Sequence, residues 1–144
     1  MQTNQVTGNW PQLQARGIFD GFSEEEMAML ELYGHVGEIS EGNVIIRQAT
    51  VQDSFYVILD GRVRVVRQPK SGVPEVLAEL EAGEGFGEMA LLNPPFASAS
   101  VIAVSPVVIW RLTRVELKEV LAKQPVLGGH LFNSLVRLYG SRLG

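Results

Sequence analysis

The chain has 144 residues, which fits one domain and is long enough to bury a core without disulfides or metal. Hydrophobic residues make up 46% of the chain and charged residues 19%, a composition that argues against disorder. Because the chain has no cysteine, disulfide frameworks, thiolate catalysis, iron–sulfur clusters and cysteine-ligated zinc are excluded.

Neither a secretory signal nor a membrane span is visible in the sequence. Residues 1–14 carry no charge and lack the basic start and apolar stretch of a signal peptide. The longest apolar passage, residues 101–110, is interrupted by Ser105 and Pro106, whereas a membrane span needs about twenty apolar residues. We therefore expect a soluble cytoplasmic protein without membrane contact.

The net charge of −4 is unevenly distributed, because residues 111–144 contain six Lys or Arg and two Glu. A basic segment can mark a nucleic-acid partner, but this charge is spread over two predicted helices and is typical of a solvated face.

The N-terminal segment, residues 1–34, is predicted to be helical. Ser23 and Glu26 form a capping box, in which the Ser23 hydroxyl caps the helix and Glu26 reaches back. Gly34 suits a helix end. Apolar residues follow the cap at helical spacing: Met27, Leu30 and Tyr33.

Residues 35–112 change to the alternating pattern of strands. The predicted strands are Val36–Ser40, Val44–Gln48, Phe55–Leu59, Arg62–Gln68, Val76–Leu80, Ser98–Val104 and Val107–Leu112. Tight connections lie at Asp60-Gly61, a strong hairpin signal, and at Pro69 to Gly72. The pattern predicts a mainly β fold with flanking helices: a β-roll of about eight strands, that is, a jelly-roll-like double-stranded barrel.

Two helices are predicted in residues 113–144. Thr113 caps the first, Arg114 to Lys123, and Pro125 begins the second, which runs to about Leu143. Apolar residues cover nearly half the circumference of the second helix, more than one packing surface requires. The helix is therefore wedged between two surfaces of its own domain, forms a dimer seam, or closes over a ligand.

The chemistry is concentrated in residues 83–100, where a glycine turn leads into one helical turn, Glu88 to Leu92, stopped by residues 93–95. Such a turn points free backbone N–H groups at one spot, which favours an anion. The carboxylate of Glu88 would repel phosphate and is suited to accept hydrogen bonds from hydroxyls. The glycine turn and Glu88 together therefore fit a sugar phosphate. Alternatively, the turn only closes the roll and Glu88 caps it.

The segment FGEMALLNPPFASAS, residues 86–100, resembles the phosphate-binding cassette of cyclic-nucleotide-binding domains, as found in the catabolite activator protein and kinase regulatory subunits. We call residues 86–100 the cassette. The resemblance extends to residues 41–48 and 55–63, with Gly61 at the family's characteristic turn, and covers roughly residues 18–142.

The resemblance implies a β-roll that holds cAMP or cGMP and helices that report occupancy. Glu88 matches the carboxylate that binds the ribose 2′-hydroxyl, and the terminal helix near Leu131, Leu135 and Leu138 would close over or near the base. The implied ligand-binding residues are Gly87, Glu88, Met89, Ala90, Ala97, Ser98, Ala99 and Ser100.

One departure concerns the phosphate. The family usually has Pro-Arg where this chain has Phe96 and Ala97, and no arginine lies between Glu88 and Arg111. Losing a charge-assisted contact to a sequestered phosphate costs about 2–5 kcal/mol, so we expect cAMP to bind more weakly than in domains that keep this arginine. Phe96 either stacks on a base or plugs the vacated site. The alternating pattern points Arg62 and Arg64 outward, away from that site.

Two further departures affect the loops and the partners. Relatives usually have a glycine in the turn at residues 48–50, where this chain has Gln-Ala-Thr. A helix-turn-helix would need some seventy residues beyond Gly144, so we expect no DNA contact.

Nothing in the sequence supports catalysis or a metal site, and His35 and His130 lack companions at metal-ligand spacing. Two hypotheses follow. The chain is a non-enzymatic cyclic-nucleotide sensor domain that couples occupancy to its C-terminal helices and a partner or dimer interface. Alternatively, it is a degenerate domain that has lost cyclic-nucleotide binding and acts as a protein-interaction or dimerisation module.

Overall fold

A computed structural model of the chain describes residues 4–5, 12–92 and 96–143. The strands are β1 (Asn4–Gln5), β2 (His35–Ile39), β3 (Val44–Ile46), β4 (Ser54–Asp60), β5 (Arg62–Arg67), β6 (Glu75–Glu81), β7 (Gly85–Phe86), β8 (Ser100–Ala103) and β9 (Val107–Thr113). The helices are α1 (Glu24–Glu31), α2 (Met89–Leu92), α3 (Arg114–Lys123) and α4 (Pro125–Leu143), with a 3₁₀ turn at Gly17–Phe19.

The strands form two antiparallel sheets, one of five strands in the order β1-β2-β9-β4-β7 and one of four in the order β3-β8-β5-β6. This arrangement confirms the predicted β-roll with an N-terminal helix and two C-terminal helices. The described strands do not close into one barrel. The short strands β1 and β7 were not predicted, and β1 lies in the segment expected to be helical.

Two strands of the five-stranded sheet, β4 and β9, are buried on both faces. On β4, Phe55 and Val57 pack against the helices, whereas Tyr56 and Ile58 face the interior of the roll. Trp110 on β9 belongs to the helical side and is fully buried. The central strands therefore read as nearly continuous apolar runs, and one sheet supports both the roll and the helices.

The Asp60-Gly61 connection is not a hairpin, so that prediction was wrong. Strand β4 pairs with β7 and β9, whereas β5 pairs with β6 and β8, so the chain crosses here from one sheet to the other. Gly61 has a φ of +95°, and a Cβ there would lie 2.3 Å from the carbonyl oxygen of Pro106. The glycine is required by this close approach. The second connection does join a hairpin, in which Arg67 lies opposite Glu75.

The predicted helix starts are confirmed. Ser23 and Glu26 form a capping box on α1, and Thr113 forms one with Glu116 on α3. Helix α1 ends at Glu31, earlier than Gly34 suggested, and a Cβ at Gly34 would lie 2.4 Å from the indole of Trp110.

Helix α4 buries one face and exposes another. Leu127, Leu131 and Leu135 are at most 4% exposed, whereas Phe132 and Val136 are 43% and 44% exposed. Within the described residues, α4 is therefore not wedged between two surfaces of its own domain. Two of the three interpretations of the wide apolar arc on α4 therefore remain: a dimer seam, or a lid over a ligand.

Ala49, in the turn where a glycine was expected, has a φ of +69°. Replacing Ala49 with glycine should raise the unfolding free energy by about 0.5–1 kcal/mol. The left-handed conformation costs an L-residue about 1–2 kcal/mol, and glycine avoids this cost. Part of the gain is offset because glycine loses more conformational entropy on folding than alanine does. Thermal unfolding should show a rise of about 2–3 °C. Ala28→Gly, at an exposed position inside α1, is the control and should lower stability. A loss in both variants would contradict the strain at Ala49.

Glu26 joins α1 to α4, because its carboxylate accepts from the backbone N–H of Ser23 and lies 2.6 Å from Nδ1 of His130. The Ser23 hydrogen bond, opposed by partial burial and helped by His130, lowers the pKa of Glu26 below its usual 4.5. Its contribution to stability is therefore complete above about pH 4.5 and is lost as the pH falls through the pKa of the folded state.

Glu26→Ala should lower the unfolding free energy by about 1 kcal/mol at pH 7. The difference from wild type should shrink as the pH falls below about 4.5, measured by urea unfolding between pH 3 and 7. Glu25→Ala, in the same helical turn and exposed, is the control and should change stability by less than about 0.5 kcal/mol. Equal losses in both variants would count against the contact with His130.

Candidate functional site

A cavity of about 360 Å³ lies between the four-stranded sheet, the cassette and the end of α4. Its walls on the sheet side are apolar and include Ile46, Val65 and Leu80. Ser100 is not among its lining residues, because its hydroxyl accepts a hydrogen bond from the backbone N–H of Gln48 at 2.9 Å. The other predicted site residues all line the cavity: Gly87, Glu88, Met89, Ala90, Ala97, Ser98 and Ala99.

The glycine turn sets the position of Glu88. Gly87 has a φ of +85°, and a Cβ there would lie 2.7 Å from the carbonyl oxygen of Ser54. The first backbone bond of the following turn runs from the N–H of Ala90 to the Gly87 carbonyl at 3.2 Å. The N–H groups of Glu88 and Met89 are therefore not used within the turn.

Beneath the turn lies a buried aromatic pair. The ring of Tyr56 stacks on Phe86 with centroids 5.0 Å apart. Burial raises the pKa of the Tyr56 hydroxyl, an effect that the nearby Arg111 guanidinium opposes. A neutral, rigid floor therefore supports the cassette from below.

The carboxylate of Glu88 is bonded to the last helix of the chain. Glu88 is 1% exposed, and Nη1 of Arg142 donates to its two oxygens at 2.5 and 2.7 Å. Nη2 of Arg142 donates to the carbonyl of Gly85 at 2.5 Å. Both carboxylate oxygens of Glu88 therefore accept hydrogen bonds from Arg142. This differs from the alternative interpretation, in which Glu88 caps its own turn.

The sequence analysis missed Arg142. The position of Arg142 on α4 could have indicated its role. Arg142 follows Leu135 and Leu138 at helical spacing, on the apolar stripe of α4 that faces the domain. A cation on an apolar stripe needs a buried partner, and Glu88 is that partner.

Helix α3 is also bonded to the cassette. Arg114, its first residue, donates through Nη2 to the carbonyl oxygen of Ala90 in α2. Together with Arg142, this bond connects both C-terminal helices to the short turn that carries Glu88. A displacement of the cassette would therefore change contacts of α3 and α4.

At the position of the missing arginine, Ala97 places only a methyl group. Ala97 lines the cavity, and its backbone N–H donates to the carbonyl of Thr50 at 2.9 Å. Phe96 is 66% exposed, and its backbone pairs with Val51. Its side chain lies at the rim and does not fill the cavity, contrary to the interpretation of Phe96 as a plug.

The arginines of β5 are exposed and do not line the cavity, an orientation that the alternation predicted for Arg62 and Arg64. Arg64 lies 2.7 Å from Glu79, and Arg67 lies 2.7 Å from Glu75. The hydrogen bond from Arg64 lowers the pKa of the Glu79 carboxyl. These side chains are engaged on the outer surface of the four-stranded sheet.

The two histidines connect helices to the rest of the domain. His35 lies 2.8 Å from Glu116, and His130 lies 2.6 Å from Glu26. Within the described part of the chain, no group of three His, Cys, Asp or Glu residues could hold a metal ion. None of the helices described above is long and apolar enough to cross a membrane.

Comparisons with known proteins agree with this geometry. The chain is 30% identical over 120 residues to the cyclic AMP receptor protein of Thermus thermophilus, covering 83% of this chain and 56% of that protein. It therefore spans about half the length of this curated relative.

Two solved structures are similar in fold. A cyclic nucleotide-binding domain from Methylobacillus flagellatus has a TM-score of 0.81 at 28% identity, covering 87% of this chain and 70% of that one. The regulatory subunit of a cAMP-independent protein kinase A from Trypanosoma brucei has a TM-score of 0.71 at 27% identity, with coverages of 88% and 47%.

Residues 36–124, well over half of the chain, match the family described as "Cyclic nucleotide-binding domain". This match agrees with the two-sheet roll and with the cavity that the cassette lines. The chain belongs to the cyclic nucleotide-binding domain family.

Proposed function

We propose that this chain is a non-catalytic regulatory domain that binds cAMP or cGMP in the cavity and transmits occupancy to its C-terminal helices. The observation that carries the proposal is the bond between Glu88 and Arg142. Glu88 occupies the position of the family's ribose-binding carboxylate. It is bonded to α4, the helix that would change its contacts when the ligand binds.

The cavity has the chemistry that a nucleotide needs. Its apolar walls suit a base, and the N–H groups of Glu88 and Met89 suit an anion. A carboxylate accepts about four hydrogen bonds, and Glu88 uses two of these positions for Arg142. The remaining positions are suited to ribose hydroxyls.

Transmission would proceed through the arginine contacts of the cassette. A ligand that prefers one arrangement of α4 shifts the population toward it, by an amount set by its difference in affinity between the two arrangements. Phe132 and Val136 present an exposed apolar surface on this helix. That surface suits a protein partner or a second copy of the chain, and we place the output of the domain there.

A second candidate function is an interaction or dimerisation module that no longer binds cyclic nucleotides. Ala97 favours it, because the cassette offers no guanidinium where the family usually has one. The Trypanosoma brucei relative is described as the regulatory subunit of a cAMP-independent protein kinase A, so this fold also occurs in a kinase that does not depend on cAMP.

A thermal-shift titration with cAMP, cGMP and cyclic di-GMP up to millimolar concentration separates the two functions. Under the sensor proposal, one cyclic mononucleotide at a hundred times its dissociation constant stabilises the fold by about 2.7 kcal/mol. That corresponds to a saturable shift of about 5–10 °C. Linear 5′-AMP is the control ligand and should give a much smaller shift.

Ala97→Arg extends the same titration. It should strengthen cAMP binding by about tenfold or more, because it adds a charge-assisted contact to the phosphate. Val51→Arg is the matched control, since Val51 is 65% exposed and lies outside the cavity. If wild type and Ala97→Arg both give flat responses, the sensor proposal fails and the interaction module replaces it. Binding by Ala97→Arg alone would mean that the cavity is intact and only the cation is lost.

A further inference from the structure

We propose that Arg142, in the last turn of α4, is the residue that pairs with the phosphate of the ligand in place of the arginine that the cassette lacks. The inference rests on the proposed function and deepens it. It assigns the anion-binding charge of this pocket to the C-terminal helix, so that the ligand and the end of α4 are held by one contact.

The charges around the cavity point to Arg142. Glu88 and Arg142 are the charged residues among those that line it in the described part of the chain. The other nearby guanidiniums are engaged elsewhere, Arg111 with Ser54 and Arg114 with the carbonyl of Ala90. Among the residues that the structure describes, Arg142 is therefore the cation on the wall of this cavity that a phosphate could meet.

Arg142 has donors left for such a phosphate. A guanidinium carries five N–H donors. Three of them are used, two by the oxygens of Glu88 and one by the carbonyl of Gly85. One donor on Nε and one on Nη2 therefore remain for an anion while the pair with Glu88 stays intact. The side chain of Arg142 lines the cavity and is 33% exposed, so it is not sealed beneath other side chains.

The electrostatic balance of the cavity leads to the same assignment. Glu88 alone would place a buried negative charge beside the phosphate, and like charges at short range in a poorly solvated site repel strongly. The pair with Arg142 is neutral before the ligand arrives. Arg142 then serves both groups, because it compensates Glu88, which binds a hydroxyl, and it donates to the phosphate.

The test compares cAMP with adenosine, which has the same base and ribose but no phosphate. Because removing Arg142 alone would leave Glu88 buried and uncompensated, the comparison is made between Glu88→Gln and the double variant Glu88→Gln/Arg142→Gln. Affinities are measured by isothermal titration calorimetry. Arg137→Gln is the control on α4, since Arg137 is exposed and bonds Ser134.

We expect the added Arg142→Gln change to weaken cAMP binding by about 30-fold or more and adenosine binding by less than about threefold. Cyclic AMP affinities that agree within about threefold in the two backgrounds would overturn the inference. Equal weakening of cAMP and adenosine would overturn it as well, because Arg142 would then only hold the structure.

Two other substitutions of Arg142 repeat the test where this double variant does not fold. In the Glu88→Gln background, Arg142→Lys keeps the charge and should keep cAMP binding within about tenfold, whereas Arg142→Met, of similar length but neutral, should lose far more. Equal losses in these variants overturn the assignment. A wild-type chain that binds none of the cyclic nucleotides would refute the proposed function and this inference with it, whereas a binding wild type with an unaffected double variant refutes the inference alone.

Discussion

The arrangement of this domain depends on the burial of one carboxylate. Glu88 is 1% exposed on a cavity with mostly apolar walls, and a charge in such a place needs a partner of opposite sign. The partner, Arg142, lies 54 residues later in the chain. Helix α4 must therefore return to the cassette. Removing one member of a buried pair typically costs several kcal/mol, so the cassette and the last helical turn are energetically one unit.

The five-stranded sheet makes this return possible. Because β4 is buried on both faces, Phe55 supports the helices while its neighbour Tyr56 lies beneath the cassette. The helices pack on the outer face of the sheet, and Arg142 in the last turn of α4 bonds Gly85 on the edge strand β7 and Glu88. The cavity and the helices therefore share one sheet as their support, and the polar contacts made by Arg114 and Arg142 join the helices to the cassette.

What the sequence predicted correctly is mostly local. The capping boxes of α1 and α3 depend on residues three positions apart, and strand alternation depends on neighbours, so both were found. Asp60-Gly61 has the local chemistry of a hairpin, but pairing with β9 holds β4 in the other sheet, which no local pattern reports. Arg142 was missed for the same reason, although its place on the apolar stripe was a signal. Seven predicted site residues were found around one cavity because the family resemblance supplied the long-range information.

The choice between sensor and interaction module also has an energetic side. Buried ion pairs are weak contributors to stability, and apolar residues of similar volume often replace them without loss. An interaction module would need only an apolar contact between α4 and the cassette, of the kind that Leu131 and Leu135 already make with the sheet. This chain instead keeps a charged pair on the wall of a cavity of about 360 Å³, with donors and acceptors to spare. Unused donors and acceptors contribute binding energy only when a polar, negatively charged ligand enters the cavity. The charged pair therefore favours the sensor function over the interaction module.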